Sequence, residues 1–451
     1  MSLIVTVIIV VLLVSMFSGM PVQAALGITA LAGILLFMGP AHVVRFGAVA
    51  YTQATSANQM IAPLFILMAE FLARGGVAAD IYDIISHGLR RVKGGLAIAT
   101  TLASTVFAAL CGSSVATAAT IGRISIGSMI AKGYRRDFAA GVVAAGGTLG
   151  IMIPPSMTFV LFGIITETSI AKLLIAGILP GVMLSAMFCL SIIIRCRLNP
   201  SLYDGQELET EPPTGAEKEN MPALTRPPVP LEGKVALQKG IAAIPAGALI
   251  LIVLLTLYTG VATPTESAGY GAVGALIIVL ALRRLTWVMM KDTVAAAVRT
   301  TCMMLFMAIM GLTLSYVVSY LGIAQGLARL IAENGVGRWT VMILLFLLWL
   351  VLGCLMDPGS MVVLTMPFLF QTLTDGLGFN PLWIGVCAAL MTEVGMITPP
   401  VGLNLFVLGN VTGIKLARII KGALPFVLVM VIGLVILCIF PQIALFLPNR
   451  M

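Results

Sequence analysis

Long apolar runs alternate with short polar stretches along almost the whole chain. The runs fall at about 3–18, 22–39, 58–73, 94–110, 115–131, 138–166 and 171–195. They resume at about 240–258, 264–282, 300–321, 340–355, 361–374, 381–412 and 422–447. Many reach the roughly 18–20 residues that a helix needs to cross a bilayer. Backbone in lipid must satisfy its own hydrogen bonds, so the pattern predicts helices. A spanning β-barrel shows short alternating segments instead. The predicted fold is an all-α polytopic membrane protein. The first run lacks a basic segment before it and leads through Gly19-Met20-Pro21 into a second run. It therefore reads as a first span and not as a signal peptide.

Composition agrees. Of 451 residues, 60% are hydrophobic and only 10% are charged, against about 25% in soluble domains. A water-soluble domain, a disordered chain and a disulfide scaffold all fall away. The net charge of +8 would suggest nucleic acid in a soluble protein, but here the basic residues sit in short loops between spans. With the stretch 199–236 placed in the cytoplasm, 20 of the 26 Lys and Arg residues fall on that side. Arg45, Lys172, Arg329, Arg338 and Arg450 fall on the other, and Arg123 lies within an apolar run. This is the positive-inside bias. It requires 94–131 to enter from the cytoplasm and return, and 340–375 to enter from outside and return. Both termini then lie outside. The seven cysteines lie in or beside apolar runs with no CxxC pair, and the only histidines are His42 and His87. No phosphate-binding GxxxxGK[ST] loop, GxSxG elbow or HExxH is present. The chain is expected to be no enzyme and to carry no cofactor or transition metal.

The acidic stretch 199–236 holds seven of the eighteen acids and two Pro-Pro pairs, and reads as a solvated linker. It separates two similar halves. Cys111-Gly112-Ser113-Ser114 resembles Met356-Asp357-Pro358-Gly359-Ser360 at a hairpin tip, and Gly150 to Ser156 resembles Gly395 to Val401 around a Pro-Pro pair. From Gly112 to Pro154 and from Asp357 to Pro399 the interval is 42 residues in both cases. Hairpins entering from opposite sides make the repeats inverted, the sequence signature of a secondary transporter. The expected division has scaffold helices at 1–39, 171–198, 237–283 and 421–448, with amphipathic arm helices at 40–57 and 284–299. The transport domain comprises 58–166, with hairpin 94–131 and broken helix 138–166, and 300–412, with hairpin 340–375 and broken helix 381–412.

Proline removes an amide donor and blocks the preceding turn. Carbonyls from Gly150 to Ile153 and from Gly395 to Thr398 thus lose helical partners. Such backbone survives at membrane depth only where protein or ligand satisfies it. Free carbonyls beside Ser and Thr hydroxyls suit a hard monovalent cation such as Na⁺. The half-helix after each break offers a positive dipole end to a carboxylate. Ser113, Ser114 and Thr117 at one tip, and Gly353, Asp357 and Ser360 at the other, add hydroxyls and small residues. Two tips facing two breaks would make two cation sites flanking one anion site.

These motifs resemble the large membrane subunit of tripartite ATP-independent periplasmic (TRAP) transporters. The resemblance rests on Cys111 to Gly122, Ala145 to Ile151 with Ile153 to Ser156, and Ala176-Gly177-Ile178 with Pro180-Gly181. In the second half it rests on Ala262 to Glu266, Leu352-Gly353-Cys354 with Met356-Asp357, and Ile397 to Asn404. It covers nearly the whole chain except the linker. It implies an elevator-type, Na⁺-driven carrier of small organic acids in the bacterial inner membrane. It also implies a separate small four-helix membrane subunit and a periplasmic substrate-binding protein. Carried over by position, one Na⁺ site uses Ser113, Ser114, Gly150, Ile153 and Ser156. The other uses Gly353, Asp357, Gly395, Thr398 and Val401. Thr117, Pro154, Pro155, Ser360, Pro399, Pro400 and Asn404 are placed next to the substrate.

Plainer readings compete at single residues. Ser113 and Ser114 also suit helix packing or capping, and Asp357 suits an N-cap. Glu393, two residues before Gly395, matches Thr148 in the first half and has either a structural or a functional role. Glu70 with Arg74 reads as a helical i,i+4 pair, and Glu266 as a first-turn acid. A standalone Na⁺/dicarboxylate carrier of the same superfamily is the alternative; its usual Ser-Asn-Thr tip contrasts with Gly-Ser-Ser here. A membrane-embedded enzyme would need a paired acid, a base or a zinc motif at depth.

Overall fold

A computed structural model of the chain describes residues 2–89, 91–203 and 234–451. Arg90 and the acidic part of the linker, 204–233, lie outside them. The described residues are helical with intervening turns and contain no strand. Helices long and apolar enough to cross a membrane are Arg136–Thr166 counted across its break, Ile170–Leu198, Pro264–Ala281, Trp287–Tyr320 and Leu416–Ile439. The first is buried on nearly all sides, whereas Pro264–Ala281 and Leu416–Ile439 turn Val273, Ile277, Leu428 and Val435 outward, as a lipid-facing helix does.

Each half contains a helical hairpin. The first joins Gly95–Cys111 to Ser114–Ile130, and the second joins Arg338–Gly353 to Pro358–Gln371. The longest of these arms has 17 residues, or about 25 Å of helix, short of the ~30 Å hydrocarbon core. Tip chemistry explains each reversal. Gly112 adopts φ 62° and ends one helix, and Ser113 caps the next by accepting from Ala116 N. In the second hairpin Asp357 accepts from Ser360 N at 3.0 Å. The arms are tied by Thr100 Oγ1 to Met129 Sδ in one and by Trp349 Nε1 to Thr365 Oγ1 in the other.

Each half also contains a broken helix. Arg136–Met152 stops before Pro154, and Met157–Thr166 restarts with Ser156 accepting from Phe159 N. Pro381–Met396 stops before Pro399, and Leu403–Thr412 restarts after Gly402 at φ 60°. Both Pro-Pro bonds are cis.

Three features differ from the sequence expectation. The stretch between the apolar runs 58–73 and 94–110 contains the helix Val77–Gly88, and Ile323–Glu333 holds the corresponding place in the second half. Each starts after a left-handed glycine, Gly76 or Gly322. Both helices have a polar face and so fall outside the apolar runs. The arm expected at 284–299 is not separate: Trp287–Tyr320 runs unbroken for 34 residues. Thr286 caps its start, and no proline interrupts it. In the first half Pro40–Thr55 and Ala57–Arg74 do bend apart, by 57°.

The helices also pack across the expected division. Ile178–Leu198 and Leu416–Ile439, expected in the scaffold, lie against the hairpins and breaks. Gly141 meets Gly422 backbone to backbone, Phe188 stacks edge-on against Phe426, and Trp383 Nε1 donates to Leu437 O. The spans Ile61–Arg74 and Trp287–Tyr320, expected with the transport domain, pack chiefly on the other helices. Met68 sits on Gly271, Val279 on Gly75, Met310 on Gly27 and Val317 on Gly33. The paired readings of two acids agree with their contacts. Arg74 Nε meets Glu70 at 2.8 Å, and Glu266 forms a capping box with Thr263. All seven cysteines are free thiols.

Candidate functional site

The tip of each hairpin is pressed against the break of the helix that follows it. A Cβ on Gly150 would lie 2.8 Å from Ser113 C and O and 2.9 Å from Ser114 N. One on Gly147 would meet Ser114 O at 3.2 Å, and one on Gly112 would meet Pro155 O at 2.2 Å. In the second half, a Cβ on Gly395 would lie 2.6 Å from Gly353 Cα and C. Gly402 N donates to Cys354 O at 3.2 Å, which anchors that break to its tip. Glycine is required at Gly150 and Gly395 because the two backbones leave no room for a side chain.

The residues assigned to the first Na⁺ site are thus largely brought together. Ser113, Ser114 and Gly150 touch, and Ser156 lies beside the Gly112–Pro155 contact. Ile153 instead turns its side chain to Gly181 on the neighbouring helix. Of the second set, Gly353 and Gly395 touch. Thr398 donates its hydroxyl to Val394 O at 2.5 Å and its amide to Gly395 O at 3.0 Å, which holds the unwinding end of the helix. Asp357 is engaged within its own tip, where both Ser360 N and Ser360 Oγ donate to its carboxylate. Its capping role is therefore visible, whatever else it does. Val401 is exposed at the lip.

The substrate-proximal set divides by burial. Thr117 is buried with its hydroxyl on Ser113 O, and Pro154 and Pro155 are buried. Ser360 is buried, whereas Pro399 and Pro400 are exposed. The first break is thus closed over and the second is open on one side. Asn404, just past the second break, is fully buried, and both atoms of its amide lack a hydrogen-bond partner. An unpartnered amide of that kind is costly unless a ligand completes it.

One residue left out of the site sets belongs beside them. Glu393 has no exposed surface and accepts the Ser114 hydroxyl on one oxygen; its other oxygen, Oε2, has no hydrogen-bond partner. The only sequence signal was an acid at membrane depth two residues before Gly395.

Hairpins, paired helix breaks and unpartnered polar groups held in an apolar body define a membrane transport protein of the secondary-carrier kind. Residues 9–443 match the family described as tripartite ATP-independent periplasmic transporter, DctM component, and the chain belongs to that family of TRAP large permease subunits. It is 32% identical to the C4-dicarboxylate TRAP transporter large permease protein DctM of Pseudomonas aeruginosa, covering 94% of each chain. To the protein of the same name in Rhodobacter capsulatus it is 30% identical, covering 97% of each. It is also 28% identical to the ectoine TRAP transporter large permease protein TeaC of Halomonas elongata, over 87% of this chain and 86% of that one. Among solved structures it resembles the YdaH transporter of Alcanivorax borkumensis, with a TM-score of 0.56 at 14% identity, covering 92% of this chain and 89% of that one. That likeness concerns the fold alone.

Proposed function

We propose that this subunit carries out Na⁺-coupled uptake of a small organic acid across the bacterial inner membrane. A periplasmic binding protein delivers the substrate, and a small four-helix membrane subunit completes the assembly. The observation that carries the reading is the mirrored pair of tip-on-break contacts, Gly150 on Ser113–Ser114 and Gly395 on Gly353. Each presses the end of a helix, just before its break, onto a hairpin that carries hydroxyls at its tip, which suits Na⁺. The half-helices starting at Met157 and Leu403 turn positive dipole ends toward the breaks, which suits a carboxylate. C4-dicarboxylate relatives favour a dicarboxylate or a related acid such as a sugar acid. One relative, the isethionate permease DctMQ of Oleidesulfovibrio alaskensis, is matched over 95% of this chain but only 64% of its own length. Its additional length agrees with a second membrane subunit fused in that protein.

Movement follows an elevator scheme in this reading. The moving body is the two hairpins and broken helices together with Ile178–Leu198 and Leu416–Ile439, because glycine-to-glycine backbone contact leaves no plane to slide along. The charge bias supports both termini in the periplasm and the linker 199–236 in the cytoplasm.

The test is uptake into proteoliposomes holding this subunit, its small partner and the cognate binding protein. Uptake is expected to require an inward Na⁺ gradient; uptake indifferent to that gradient sinks the proposal. Ser114→Ala and Thr398→Ala are each expected to raise the Na⁺ concentration for half-maximal uptake severalfold, about what loss of one ligand hydroxyl removes. Assembled protein should stay near wild-type levels by size-exclusion chromatography. Unchanged Na⁺ dependence in both variants would show that the cation sites lie elsewhere.

A further inference from the structure

Glu393 lies between the two tip-on-break contacts. It precedes Gly395, which bears on the second tip, and it accepts a hydrogen bond from Ser114, which belongs to the first. These partners stand 279 residues apart, in opposite halves of the chain. The carboxyl has no exposed surface, and neither of its oxygens meets a basic group: one takes the Ser114 hydroxyl, the other has no partner. A carboxylate held in an apolar body without a counter-charge is strongly disfavoured. A cation beside it offsets part of that penalty.

The direction of the hydrogen bond matters. Ser114 donates, so its proton points to Glu393 and its oxygen lone pairs point away. A hydroxyl oxygen can serve a cation only on the side away from its proton. Ser114 O and N already face the first broken helix at Gly147 and Gly150. The corresponding position in the first half is Thr148, whose hydroxyl is spent on Ala145 O of its own helix at 2.6 Å. The arrangement is therefore one-sided: among the described residues, the first tip receives a carboxyl from the opposite half, and Thr148 offers the second tip none.

We propose that Glu393 is the positioning residue and negative charge of the first cation site, acting through Ser114 across the boundary between repeats. This rests on the Na⁺-coupled reading above. In it, a cation at the first tip is sensed directly by the helix that carries the second break, so the two cation sites fill cooperatively.

The complete assembly in proteoliposomes provides the test, with uptake measured against external Na⁺ at fixed substrate. Glu393→Gln is nearly isosteric but uncharged. It is expected to raise the half-saturating Na⁺ concentration about tenfold and to lower the Hill coefficient toward one. The KM for the substrate-loaded binding protein at saturating Na⁺ should stay within about twofold of wild type. Glu393→Asp keeps the charge but shortens the reach, so a rise of roughly threefold is expected. It also carries the test if the Gln variant does not accumulate. Ser114→Ala combined with Glu393→Gln should be no worse than the more affected single variant. Wild-type uptake that needs Na⁺, with the Gln and Asp variants matching its half-saturation and Hill coefficient, overturns this proposal alone. Wild-type uptake indifferent to Na⁺ overturns the coupling reading and this proposal with it.

Discussion

Gly395→Ala is expected to lower uptake about a hundredfold. The added methyl would sit 2.6 Å from the backbone of Gly353 and 3.0 Å from Cys354 N. Neither neighbour is a side chain that can rotate away, so the second hairpin tip must lift from its break. Overpacking of this kind costs about 1–3 kcal/mol. Its larger effect is on geometry, because a displacement of about 1 Å in a preorganised site can lower turnover about a hundredfold. Uptake should fall by about that factor while the protein still elutes as a single assembled species. Gly150→Ala should behave alike, since its methyl would strike Ser113 and Ser114. Gly269→Ala is the control: nothing lies within 4 Å of that position, and alanine is the better helix former. Wild-type uptake by Gly395→Ala would show that the tip and break do not need to touch.

Gly422→Ala is expected to strike stability instead. A Cβ there would lie 1.8 Å from Asp137 O and 3.1 Å from Gly141 N, and Gly141 answers from the other side with its own close approach to Gly422 O. Small residues at such a crossing let two membrane helices touch along their backbones. Losing that contact separates Leu416–Ile439 from the first broken helix and opens the face covered by Phe188 and Phe426. The loss should be at least about 3 kcal/mol, at the top of the range for overpacked cores. Thermal unfolding in detergent, followed by tryptophan fluorescence, should shift down by several degrees. A Tm equal to wild type would mean that the crossing is looser than described.

The two effects read out different parts of the molecule. The tip-on-break glycines belong to the candidate site, and the Gly141–Gly422 crossing belongs to the packing behind it. In this structure the second break is open, with Pro400 exposed, and the first is closed, with Pro155 buried.

Much of the site was legible because its chemistry is local. Proline ends a helix from within its own turn, glycine opens a left-handed cap, and Ser113 or Asp357 caps the helix that follows three residues on. The equal spacing of tip and break in both halves needed only counting. Pairings distant in sequence were not legible. Whether Ser114 meets Glu393 depends on the register between two helices set by everything packed around them. The amphipathic helix Val77–Gly88 was lost for another reason: its polar face resembles a loop when read residue by residue. The continuity of Trp287–Tyr320 was misread because a change in polarity along a helix is no break in it; only a missing donor or a steric clash ends one.

The sequence by itself determined that the chain is a multi-pass helical membrane protein and where its helices turn and break. Those properties follow from side-chain hydrophobicity and backbone freedom, which each residue carries with it. Only the tertiary structure decided which helices pack together and which buried carboxyl faces which hydroxyl. Those depend on close backbone approach at Gly141, Gly422, Gly353 and Gly395, and a glycine announces that a neighbour is permitted without saying which one arrives.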